Sequence, residues 1–139
     1  MHLSDEEIEQ VRKGFDMARS EDLFTESARF YENLFRRAPR LRKLFRDDLE
    51  GQGMRFMTTL RTIVVTMNDP DALHRELRPL GHLHSSIGIR LEDFEPMGEA
   101  LMDTFRDVLG DEFTPEMEAS WRKAYALISE KMIELGQIR

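Results

Sequence analysis

Phe56, Met57, Leu60, Ile63, Val64 and Met67 recur three and four residues apart, with Arg55, Thr58, Thr59, Arg61 and Thr62 set between them. A helix of about 3.6 residues per turn puts the first set on one face and the second on the other, which no strand can do. The segment from Gln52 or Gly53 to about Met67 is therefore an amphipathic helix that has to bury its stripe against other elements.

The remaining chain supplies only further helices. Ser4 with Glu7 forms a capping box, and Ile8, Val11, Phe15 and Ala18 continue a helix over about Asp5 to Arg19. Leu23, Phe24, Ser27, Ala28, Phe30, Tyr31, Leu34 and Phe35 make the broad face of a second helix, which Pro39 brings to an end. Pro39 suits the first turn of a short helix through Leu41, Leu44 and Phe45, and the acidic, glycine-containing stretch 47–53 is expected to be a connector. Asn68-Asp69-Pro70 stops the amphipathic helix and opens the next one, inside which Pro79 should kink the helix or split it in two. Phe94, Met97, Leu101, Phe105 and Val108 trace another helix, ended by Gly110. Thr114-Pro115 caps the last, whose inner face carries Met117, Trp121, Ala124, Ile128, Met132 and Leu135. The fold class read from this is all-α with about seven helices, in one domain over residues 1–139.

Charge and composition remove several functions. Twenty Lys and Arg against 27 Asp and Glu give a net charge of −7, which offers no electrostatic support for nucleic acid or an anionic membrane surface. The absence of Cys excludes disulfides, zinc–thiolate sites and cysteine nucleophiles. The start of the chain is acidic and has no apolar leader core, and clusters such as Ile63–Val65 are far too short to span a bilayer, so a cytoplasmic protein is expected. Nine Met residues at helical spacing read as core filler.

Two histidines, His82 and His84, lie two residues apart in a helical segment and so point about 200° away from each other. Leu73, Leu77 and Leu80 run down one stripe that continues to His84 and Ile87, whereas His82 falls with Arg75, Arg78, Ser85 and Ser86 on the solvated side, as does His74. Taken alone, His84 reads as a core histidine bonded to a backbone carbonyl. Gln52, one turn before Phe56, reads either as a helix-start residue facing solvent or as a polar group on a buried face; Tyr31 reads as a core aromatic or as a hydroxyl aimed inward. Together the three suggest a cavity that holds something polar.

At this point the chain resembles the globins, in particular bacterial single-domain globins and the haem domain of flavohaemoglobins. FYENLFRRAPRLRKLF over 30–45 is similar to the family's second-helix and corner signature, GHLHSSIGIRLEDFEPMGEAL over 81–101 to its proximal stretch, and LGDEFTPEMEASWRKAY over 109–125 to its last inter-helix turn. The resemblance implies haem b, with its iron ligated by His84 as the proximal histidine. It also implies Phe45 wedged against the ring, Tyr31 and Gln52 as distal donors, Phe56 above the ring and Arg55 at a propionate, with Ile89, Phe94 and Met97 lining the cofactor. Only seven residues separate Phe45 from Gln52, so the extra helix that longer globins carry there should be short or absent.

The implied function is reversible binding of O2, CO and NO, as an oxygen carrier, scavenger or buffer. A second implied function is a nitric oxide dioxygenase served by a separate reductase, since the chain carries no flavin or nicotinamide domain. A signalling module or a helical domain without haem would be further alternatives. In flavohaemoglobins the iron-bound imidazole bonds to a glutamate supported by a tyrosine; those positions here read Gly136 and Phe94, with Glu134 two residues short. The resemblance therefore leaves His84 to a backbone carbonyl, that of Leu80, and favours reversible binding over oxidative chemistry. A monomer or homodimer is expected, with no nucleic-acid or membrane partner.

Overall fold

Ser4 and Glu7 satisfy each other's backbone at the start of the first helix. Glu7 Oε1 accepts from the Ser4 N–H at 2.8 Å and Ser4 Oγ from the Glu7 N–H at 3.1 Å. The computed structural model describes residues 3–19, 23–45 and 49–139, with the backbone alone described for 23–27 and 49–54. Among the described residues the elements are α1 (Asp5–Arg19), α2 (Leu23–Arg37), α3 (Leu49–Thr66), α4 (Pro70–Ser86), α5 (Phe94–Leu109) and α6 (Pro115–Gly136), with 3₁₀ turns at Pro39–Leu44, Leu91–Asp93 and Gly110–Glu112 and no strand. Asp69 caps α4 by accepting from the Ala72 N–H at 3.2 Å, and Thr114 caps α6 by accepting from the Met117 N–H at 3.2 Å. Gly110 closes α5 with φ 56°, a left-handed turn suited to glycine.

The helices pack α4 on α6, α2 on α5 and on α3, and α1 on α6. Val11, Leu34, Leu77, Met102, Met117 and Trp121 on these helices are fully buried, as is Leu41 in the 3₁₀ turn after α2. Phe105 anchors the interior between Phe113, stacked at 5.3 Å, and Trp121 at 4.5 Å. Among the described residues this is an all-α fold.

Four expectations need correction. α3 begins at Leu49, so 49–53 is helix and not connector. Glycine costs a helix interior roughly 1 kcal/mol relative to alanine, a penalty that burial of the stripe from Phe56 onward outweighs. Residues 46–48, on which the expectation of a short or absent helix after Phe45 falls, lie outside the described residues. α4 runs unbroken through Pro79, so the helix is not split in two: that ring is on the exposed face, while the opposite face is held by α6. Ala28 is exposed, and Asn33 takes a place on the inner face of α2 that an apolar pattern does not show. His74 is half-buried, not fully solvated.

Candidate functional site

The register of α4 separates its histidines. Leu77 and Gly81 are buried, His82 is exposed, and His84 is half-buried in the wall of a cavity. Its Nδ1–H donates to the Leu80 carbonyl one turn earlier at 2.7 Å. Nε2 is left as the basic nitrogen, and burial holds the imidazole below the ordinary histidine range, against a smaller opposing effect of the Leu80 bond. The ring is therefore neutral near pH 7, with a lone pair available on Nε2.

The cavity has a volume of about 280 Å3 and lies between α2, α3, α4, α5 and α6. Tyr31, Phe45, Arg55, Phe56, His84, Ile89, Phe94 and Met97 all line it. The side chain of Gln52 lies outside the described residues; its backbone belongs to α3. One side is a cluster of rings, with Tyr31 buried at its centre, 5.2 Å from Phe30, 5.3 Å from Phe45 and 6.2 Å from Phe56. Phe30 and Phe56 stack face to face at 4.4 Å. On the other side the ring of Phe94 lies 6.3 Å from that of His84. Arg55 is exposed at the rim.

Tyr125 and Ser129 also line the cavity and carry its least expected polar groups. The Tyr125 hydroxyl donates to the Phe94 carbonyl at 2.6 Å. Burial pushes the Tyr125 phenol well above the usual range, so it stays protonated. Trp121, Tyr125 and Ser129 recur every four residues along the inner face of α6, a row readable from spacing once α6 is aligned on the cavity. Arg40 pairs with the buried carboxylate of Asp93, which also accepts from the Arg90 N–H at 2.8 Å. That bond ties the corner before Phe45 to the turn before Phe94, on opposite sides of the cavity.

This donor set suits one kind of occupant. Among the described residues no group of three or more His, Cys, Asp and Glu converges, so nothing there could hold a bare metal ion by side chains alone. One neutral imidazole in a largely apolar, ring-lined space, with a guanidinium at its rim, matches a flat prosthetic group that brings its own metal and its own acidic edge.

A family model described as Globin matches residues 28–132. The chain belongs to the globin family. Its relatives include a flavohemoprotein of Bacillus subtilis (strain 168), 30% identical over 112 residues, which cover 78% of this chain and 28% of that one. A flavohemoprotein of Rhizobium meliloti (strain 1021) is 28% identical over 104 residues, 73% of this chain and 26% of its own. This globin thus spans about a quarter of the length of these relatives, and resembles their haem domains. A solved structure of a hexacoordinated heme protein from an anhydrobiotic tardigrade at pH 4 superimposes with a TM-score of 0.86 at 20% identity, covering 97% of this chain and 96% of that one. At that identity the likeness speaks for the fold. No helix among the described residues is long and apolar enough to cross a membrane.

Proposed function

We propose that this globin takes up haem b with His84 Nε2 as the iron's proximal ligand and binds O2, CO or NO reversibly, as a carrier, scavenger or buffer. The carrying observation is the 2.7 Å bond from His84 Nδ1 to Leu80, which commits one ring nitrogen and presents the other, unprotonated, in the cavity wall. Bound there, haem would supply an open iron coordination position for a diatomic gas.

The chain's own residues do the rest. Phe45, Phe56, Ile89, Phe94 and Met97 surround an apolar ring and exclude water, and Arg55 at the rim is placed for a propionate. Tyr31 and Gln52 are the distal donors in this reading. A hydrogen bond from either to a guest whose outer atom carries negative charge is worth about 1 kcal/mol or more. Two donors on one guest slow its release, which suits holding O2 at low concentration. Neither His74 nor His82 lines the cavity, so neither offers a second imidazole there.

The likeness to flavohemoproteins favours a second reading, a nitric oxide dioxygenase whose iron is re-reduced by a separate, flavin-containing reductase. Against it stands the proximal side, where Glu134 is exposed and Gly136 has no side chain. Absorption spectra of the purified reduced and oxidised protein test haem binding. Addition of NO to the oxygenated form with a reductase present then separates the readings: stoichiometric reaction supports the first, sustained turnover the second. Cytoplasmic location and a monomeric or dimeric state belong to the same proposal.

A further inference from the structure

α4 and α6 touch through their backbones. A Cβ placed on Gly136 would lie 2.3 Å from the Gly81 carbonyl oxygen and 2.6 Å from its carbon. A Cβ on Gly81 would lie 2.7 Å from the Met132 carbonyl oxygen and 3.0 Å from the Gly136 nitrogen. These neighbours are main-chain atoms, which cannot rotate aside as a side chain can. Both glycines are buried. Beyond the crossing the chain is held as well, because the Leu91 N–H donates to the Arg139 carbonyl at 3.1 Å and Ile138 is buried.

Gly81 immediately follows Leu80 and precedes His84 by three residues, so the crossing clamps the turn that contains both ends of the Nδ1–carbonyl bond. Among the described residues no carboxylate from the end of α6 bonds Nδ1, whose partner is the Leu80 carbonyl. Glu130 and Glu134, the acidic residues of that end, are exposed.

We propose that the Gly81–Gly136 crossing is a positioning element for His84: it fixes the Leu80–His84 turn and reserves Nδ1 for a neutral backbone acceptor. An iron–imidazole bond of ordinary strength follows, without imidazolate character. This rests on the reading of His84 as the haem ligand.

Resonance Raman spectroscopy of the iron–histidine stretch in the ferrous haem-loaded protein tests it, alongside haem transfer to excess apomyoglobin and thermal melting. Gly136→Ala and Gly81→Ala are expected to shift or split the band and to release haem several-fold faster than wild type. Glu130→Ala and Glu134→Ala are expected to leave a single, unchanged band. A lowered melting temperature with an unchanged band in both glycine variants would mean that the crossing only holds two helices together, and the proposal would fall. A band that drops in either glutamate variant overturns it as well, and this arm decides the matter if the glycine variants do not fold. A wild type that takes up no haem removes the reading of His84 and this inference with it, whereas normal uptake with unmoved bands in the glycine variants removes the inference alone.

Discussion

His84 Nδ1 and the Leu80 carbonyl lie 2.7 Å apart on one face of α4, while His82, two residues earlier, is exposed on the other. His84→Ala is therefore expected to abolish stoichiometric haem binding or leave weak, heterogeneous ligation, and His82→Ala to keep the wild-type spectrum. Haem titration of the purified variants checks both. Loss of haem in the His82 variant would mean that the register assigned to α4 does not place the ligand.

Asn33 gives a second expectation, on stability. It is 1% exposed on α2, and its Nδ2 donates to Thr104 Oγ1 and Asp107 Oδ2 on α5, each at 3.1 Å. Thr104 Oγ1 itself donates to the Ala100 carbonyl at 2.8 Å. Asn33→Ala removes both bonds but leaves the Thr104 hydroxyl a partner and Asp107 access to water, so a loss of about 1–2 kcal/mol is expected. Urea unfolding of the haem-free protein measures it. A neutral result would show that water replaces the amide between the two helices.

The legible parts of this fold are those where one local rule acts alone. Ser4 with Glu7, Asp69, and Thr114 with Pro115 start helices by their own hydrogen-bonding chemistry, and the i, i+3, i+4 row through Leu77 to His84 decides which histidine faces inward. Local rules fail where packing overrides them. Gly51 and Gly53 are carried into α3, Pro79 stays inside α4 because its ring meets solvent, and Asn33 is buried because α5 supplies acceptors 71 and 74 residues away. The proximal wall was half legible. A missing carboxylate can be read from Gly136, but the backbone contact with Gly81 and the Tyr125–Phe94 bond depend on how α6 crosses α4 and α5.

Glu7 carries a pH dependence. The Ser4 backbone N–H, with help from the Lys123 ammonium at 2.9 Å, lowers its carboxyl from an ordinary 4.5 to about 2. A carboxyl depressed in the folded state stabilises that state above its unfolded value, and the contribution is lost as pH falls through the folded one. The difference in melting temperature between wild type and Glu7→Gln should thus be full at pH 7, shrink below about 4.5 and close near 2. An equal difference at pH 7 and pH 2 would show that the capping bonds do not need the charge.

The distal side carries the most exposed expectation. Tyr31 is buried among Phe30, Phe45 and Phe56, which leaves its hydroxyl little water to compete with a guest in the cavity. If it donates to bound gas, Tyr31→Phe should speed O2 release more than CO release, because the outer atom of CO carries less negative charge and gains less from a donor. A net loss of about 1.4 kcal/mol corresponds to roughly tenfold weaker O2 affinity. Gln52→Leu should act in the same direction and less strongly, since a longer side chain gives up more rotamer freedom when it is held. The double variant should fall short of the product of the single effects, because two donors on one acceptor are coupled. Stopped-flow dissociation of O2 and CO from wild type, the single variants and the double variant decides among these. Equal O2 release in all four would mean that neither side chain touches the ligand. The expected high affinity would then have no support beyond the apolar wall and His84.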